Sequence, residues 1–221
     1  MPALGFLVDL DVQGIRPGGP GVTLGDLRAW ESRHGFRLPQ GLSDWLLLAD
    51  GLEGRTGPII HPLRAIGPMI RFVRAPGDPV IQPESWYEFG NPGSETVCLD
   101  LAYSWPGGDA PVFASGDDRL GVSPRIIATG FDSWFYNVIR DGGRAYWQDP
   151  GFASLGDPWT EHRRRTPAPI LPDRLRPLAD AARAHLNPDA DERRVASELG
   201  ISTVELEALF RYLQHLGPVE G

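Results

Sequence analysis

The sequence predicts an α+β fold, an antiparallel meander sheet flanked by helices, followed by a small all-α module. Three observations predict it. Leu42, Trp45, Leu46 and Ala49 recur at i, i+3, i+4, i+7, and so do Phe131, Trp134, Phe135 and Val138, which is one face of a helix in each case. Between these stripes lie short runs rich in β-branched and aromatic residues, separated by Gly, Pro, Asn and Asp, as hairpins require. From Asp173 to Leu216 the apolar spacing is helical again.

The stretch from Thr23 to Gly51 reads as a helix pair. Thr23 with Asp26 is a capping-box start, with an acid near the positive end of the helix. Leu27, Trp30 and His34 fall on one face, and Gly35 is suited to the left-handed residue that ends a helix. Pro39 fits the first turn of the second helix, and Gly51 closes it. Residues 1–12 read as a short edge element, Ile15–Gly21 as loop, and Pro58–Leu63 and Met69–Val73 as short strands. Ala75–Pro83 is mostly irregular, with an edge segment at Val80 and Ile81. Trp86–Phe89, Thr96–Leu101, Pro111–Ala114 and Arg125–Ala128 read as strands. Asn91–Ser94 and Pro106–Asp109 are the turns between them. Along Thr96–Leu101, Val97, Leu99 and Leu101 share one face, and Thr96, Cys98 and Asp100 the other. Thr129 with Asp132 repeats the capping pattern before the last helix of this domain, which Gly142 and Gly143 end.

Prolines at 150, 158, 167, 169 and 172 mark a linker, with Phe152 and Trp159 as the residues that would wrap it on the first domain, so the expected domains are 1–148, a proline-rich linker at 149–172, and a helical module at 173–217. In that module Asp191 is the expected cap of one helix and Ser202 or Thr203 of the next. Ala196, Leu199, Gly200, Ile201, Leu206 and Leu209 are spaced like a helix-turn-helix. A DNA-binding regulator acting through this module is the alternative function. The face it would present carries Thr203, Glu205, Glu207, Ala208 and Arg211, and two acids repel a polyanion.

Composition narrows the classes. The formal net charge of −8 disfavours nucleic-acid or membrane-surface binding. All 21 basic residues are Arg, which excludes mechanisms built on a Schiff-base or phosphate-loop lysine. Cys98 is the single cysteine, so no internal disulfide forms and a reducing cytoplasm is the expected compartment. Met1–Val12 has no basic start and carries Asp9 and Asp11, unlike a signal peptide, and no apolar run approaches the ~20 residues of a membrane span.

No reaction centre is legible. His34, His61, His162, His185 and His215 do not pair at metal-ligand spacing, and no G-x-S-x-G elbow occurs. Cys98 reads as a small core residue. Arg163, Arg164 and Arg165 form a short basic run that reads as solvated. Asp109, Asp117 and Asp118 read as turn acids, or as an acidic docking face, in preference to an acid/base or metal site. Trp86 and Trp105 flank the hairpins, either capping the core at the sheet edge or standing out as binding anchors.

Three segments in order resemble the SUKH superfamily, the Smi/Knr-type domain. They are Glu31, Gly35, Leu38-Pro39, Leu42 and Asp50-Gly51; Trp86–Gly90 followed by Cys98-Leu99-Asp100; and Ile126-Ile127-Ala128 leading into Phe131–Phe135. The resemblance spans about Thr23 to Asp141, with Asp50 where the family often has Asn. It implies a non-enzymatic protein-binding domain without a cofactor. Bacterial relatives resemble immunity proteins that neutralise polymorphic toxins, many of them nucleases; fungal relatives act in cell-wall synthesis control. The helical tail is an addition that a single-domain immunity protein does not need. The expected function is therefore protein binding, with Trp86, Trp105, Asp109, Asp117 and Asp118 as the partner-binding residues and a basic toxin domain as the expected partner.

Overall fold

The computed structural model describes residues 14–69, 74–75, 78–79, 82–93, 95–102, 110–116, 123–185 and 191–216. The expected edge element at 1–12, the segments at Met69–Val73 (beyond Met69) and Val80-Ile81, and the turn at 106–109 lie outside these residues. The chain divides into two compact units, Met1–Pro68 with Ser85–Pro158, and Met69–Glu84 with Trp159–Gly221.

In the first unit, helix α1 (Leu24–His34) starts where the capping pattern predicts. The Asp26 N–H donates to Thr23 Oγ1 at 3.1 Å, and the Thr23 N–H donates back to Asp26 Oδ2 at 2.9 Å. Those bonds, the Thr23 side chain first and its backbone second, hold the Asp26 carboxyl below the usual carboxylate range. Gly35 ends the helix in the left-handed region. Helix α2 (Gln40–Leu48) has Pro39 as its N-cap, one position earlier than expected. It ends at Leu48, not at Gly51: Ala49 is extended but still buried, and Gly51 turns the chain into the next strand.

Strands β1 (Arg16–Pro17), β2 (Leu52–Glu53) and β3 (Pro58–Ile60) form a small antiparallel sheet. The expected loop at Ile15–Gly21 thus holds a strand; at a sheet edge Pro17 needs no N–H. The main sheet contains β4 (Gly67–Pro68), β7 (Trp86–Gly90), β8 (Val97–Asp100), β9 (Val112–Ala114) and β10 (Arg125–Ala128). Its order is β10-β9-β8-β7-β4 and each pair is antiparallel. The short pair β5 (Arg74–Ala75) and β6 (Asp78–Pro79) belongs to the second unit.

The register aligns Tyr87 with Leu99 and Leu99 with Val112. These residues, with Phe89, Val97, Leu101, Ala114 and Ile127, form one face and share a core with Leu27, Trp30, Leu42, Trp45, Leu46, Phe131, Trp134 and Val138. The opposite face carries Trp86, Cys98, Asp100 and Phe113, and these are buried too. Both faces of β8 are therefore enclosed, including Thr96, Cys98 and Asp100 on the face opposite Val97, Leu99 and Leu101. Helix α3 (Phe131–Arg140) is capped by Gly130 and Ser133, not by Thr129 and Asp132: the Gly130 N–H donates to Ser133 Oγ at 3.3 Å.

The expected linker at 149–172 is structured. The Leu155 N–H donates to the Ile126 carbonyl and the Ile126 N–H to the Gly156 carbonyl, so this segment satisfies the backbone of β10 at the sheet edge. Pro158 then opens helix α4 (Pro158–Arg165), where a first-turn proline forfeits no hydrogen bond.

In the second unit, a 3-10 turn at Arg176–Leu178 leads into α5 (Ala179–Ala184). Helices α6 (Glu192–Leu199) and α7 (Thr203–Leu216) follow. Asp191 accepts from the N–H groups of Arg193 and Arg194. Ser202 and Glu205 form a reciprocal cap, with the Ser202 N–H on Glu205 Oε2 at 2.8 Å and the Glu205 N–H on Ser202 Oγ at 3.3 Å. Gly200, at φ +68°, makes the turn that a side chain would strain. Leu171, Leu175, Ala182, Leu209 and Leu213 form one apolar cluster, and Val195, Ala196 and Leu206 another.

Candidate functional site

Polar residues of the first two resembling segments are engaged in holding the fold. Glu31 Oε1 accepts the Leu38 N–H at 3.3 Å across the turn between α1 and α2. Asp50 Oδ1 accepts the Leu63 N–H at 2.7 Å, and the Trp45 indole donates to the Gly51 carbonyl at 3.3 Å. These two bonds pin the end of α2 to the chain on either side of β2 and β3. Glu88 pairs with His61 at 3.2 Å. Gly90 is required by close approach, since a Cβ there would lie 2.1 Å from the Ile59 carbonyl oxygen.

Asp100 is a buried carboxylate with several donors. Its Oδ1 accepts from the Ser85 hydroxyl at 2.6 Å and the Ala102 N–H at 3.0 Å, and its Oδ2 from the Trp86 indole at 3.0 Å. The Trp86 ring lies 4.5 Å from that of Phe113. With 1% of its surface exposed, Trp86 is a core residue and not a surface anchor, which corrects its placement in the expected partner-binding set. The cause is the register: Trp86 pairs with Asp100, and the buried carboxylate needs its indole N–H. Trp105, Asp109, Asp117 and Asp118 lie outside the described residues.

A second buried ionic group was not legible in the sequence. Glu95 Oε1 accepts from Arg125 Nη2 at 2.7 Å and from Gln148 Nε2 at 3.2 Å, while Arg125 also reaches the Trp147 carbonyl. This clamps the turn before β8, the start of β10 and the segment after α3. Its members are 30 and 53 residues apart in sequence, so no local pattern announces it.

His34 stacks against Trp30 with ring centroids at 4.3 Å and shares a hydrogen bond with the Tyr87 hydroxyl at 3.1 Å. Burial first, and the neighbouring Arg33 second, lower its pKa. It acts as a packed side chain at the helix end. No group of three or more His, Cys, Asp or Glu able to hold a metal occurs among the described residues. Among them no helix is long and apolar enough to cross a membrane.

Among the described residues, helices α2 and α3 carry exposed apolar side chains with charges on the same helices. They lie side by side with their N-termini together: Gly41 abuts Phe131 and Asp132, and the Trp45 ring is 5.1 Å from that of Phe135. Leu48 on α2 and Tyr136 on α3 are 49% and 65% exposed. Arg140 lies over the Tyr136 ring at 5.9 Å. The sequence signal was available, since Tyr136 falls off the apolar stripe of its helix.

In the second unit several arginines are engaged. Arg164 and Arg165 pair with Glu161, Arg163 donates to the Leu216 carbonyl at 2.7 Å, and Arg174 pairs with Glu205. Arg211 pairs with Glu207 at 2.7 Å one turn away. The outer face of α7 is therefore charge-compensated. His162 and His215 are buried with ring centroids 5.9 Å apart, and burial first, then His162 and Arg163, lower the His215 pKa. Compared with protein-family models and with curated proteins, the chain matches none.

Proposed function

We propose that this chain is a non-enzymatic protein-binding module of SUKH type that neutralises a basic partner such as a bacterial toxin domain, acting in the cytoplasm. The observation that carries the reading is where polar groups are used. Glu31, Asp50 and Asp100 hold backbone or buried side chains in the first unit and Glu88 pairs with the partly buried His61, which supports reading the segments that carry the resemblance as framework. The partner's chemistry follows from charge: residues 1–150 contain 18 acids against 12 Arg. An acidic inhibitor is drawn electrostatically to the basic surface with which a nuclease meets its substrate.

The test is co-expression with the products of the flanking reading frames. Rescue of growth from a toxic neighbour, together with a purified complex whose association slows with added salt, supports the reading. A complete set of neighbours without toxicity or complex formation overturns it. A second reading, DNA binding by the tail, rests on the α6–Gly200–α7 turn. An electrophoretic shift assay decides it, and the paired arginines predict no shift.

A further inference from the structure

We propose that the C-terminal ends of α4 and α7 form a proton-sensitive latch, closed while His215 is neutral and opened when His215 takes up a proton. The contacts that make the latch lie within the second unit. Arg163 donates to the Leu216 carbonyl at 2.7 Å and so caps the end of α7. Thr166, just past the end of α4, meets His215 Nδ1 at 3.4 Å. The rings of His162 and His215 lie with their centroids 5.9 Å apart, and both residues are buried.

The Thr166 hydroxyl has one proton and donates it to the His162 carbonyl at 2.6 Å. Toward His215 it can only accept. Nδ1 therefore carries the proton of the neutral ring, and a second proton goes to Nε2. That proton creates a buried cation. The charges that bear on it are those of His162 and Arg163 on α4, and Arg163 is charged at every relevant pH. Other charged groups of the surrounding helices are engaged or exposed. Glu161 pairs with Arg164 and Arg165 on α4, and Glu207 with Arg211 on α7. Glu205 pairs with Arg174, and Glu198 of α6 with Arg194 and with His185 at the end of α5. Asp180 on α5 is exposed, and Arg183 beside it is a further cation. The C-terminal end of α7 attracts positive charge, but the Arg163 guanidinium already occupies its Leu216 carbonyl. Opening lets the His215 imidazole reach water and separates it from Arg163, so the open form binds the proton at a higher pH than the closed form. The open population therefore grows as the pH falls below about 6.5, tenfold for each pH unit between the two pKa values, and levels off below the lower one. This inference does not depend on the toxin-binding reading.

The experiment is amide hydrogen exchange on the full chain, converted to protection factors, with residues 159–166 as the reporter. Between about pH 7.5 and 5, wild-type protection there should fall at least about threefold, while α6 keeps its own. His215→Gln should abolish the response. Thr166→Val removes the bond to His215 without changing charge, so it should lower protection by the same factor at both pH values. Proton NMR of the His215 ring should give a midpoint below the ordinary value of about 6.5, and Arg163→Gln should raise it. Wild-type protection that does not change with pH overturns the proposal, whatever the variants do. So does an equal fall throughout α6, a response that survives in His215→Gln, or a His215 midpoint at the ordinary value.

Discussion

Replacing Trp45 by alanine tests the organisation of the first unit most directly. The side chain is buried in the shared core, its ring lies 5.1 Å from that of Phe135, and its indole donates to the Gly51 carbonyl at 3.3 Å. A buried aromatic removes roughly 150–250 Å² from water, which at about 25 cal/mol per Å² is roughly 4–6 kcal/mol. Residual compactness of the unfolded chain lowers that figure, and the lost hydrogen bond adds about 1 kcal/mol. Rigid neighbours also leave part of the cavity unfilled. The expected cost is about 4 kcal/mol, a large share of the stability of a domain this size. Urea unfolding followed by near-ultraviolet circular dichroism measures it. Trp45→Phe keeps an aromatic against Phe135 and should cost less than half as much. A loss below about 1 kcal/mol for the alanine variant would show that α2 does not organise this core.

Gly90→Ala should be at least as damaging, because its Cβ would meet the Ile59 backbone oxygen at 2.1 Å and neither strand can yield; soluble yield and melting temperature should both fall, and a wild-type melting temperature refutes the contact. Asp100→Ala should destabilise by about 3–5 kcal/mol, since it leaves the Ser85 hydroxyl, the Trp86 indole and the Ala102 N–H without their shared acceptor. Asp100→Asn, which keeps an acceptor oxygen, should recover part of that loss in the same unfolding measurement. His215 has a folded pKa below its unfolded value near 6.5, so below that pH the unfolded chain binds the extra proton first. The stability it contributes is complete above about pH 6.5 and is lost as the pH falls towards the folded pKa; His215→Gln should flatten the pH dependence of second-unit unfolding between about pH 7.5 and 5.5.

What the sequence by itself determined is what depends on neighbours along the chain. The capping pair of Thr23 and Asp26, the left-handed end at Gly35, the turn at Gly200, the cap at Asp191, the cap at Ser202 from the pair Ser202 or Thr203, and the alternation of Val97, Leu99 and Leu101 all appear as read. Each is decided within four residues, by backbone geometry and the period of burial. The tertiary structure decided what depends on groups distant in the chain. Trp86 is a core residue because Asp100 stands across the β7–β8 ladder. The pair of Glu95 and Arg125 has no local signature, and the stretch after Gln148 has structure because β10 requires a backbone partner at its edge. The same division applies to surfaces: helical spacing marks Phe131, Trp134 and Val138 as inward-facing. Only the packing of α2 beside α3 brings Gly41 against Phe131 and Asp132 and Trp45 against Phe135, because adjacency between helices is set by their shared core and not by sequence distance.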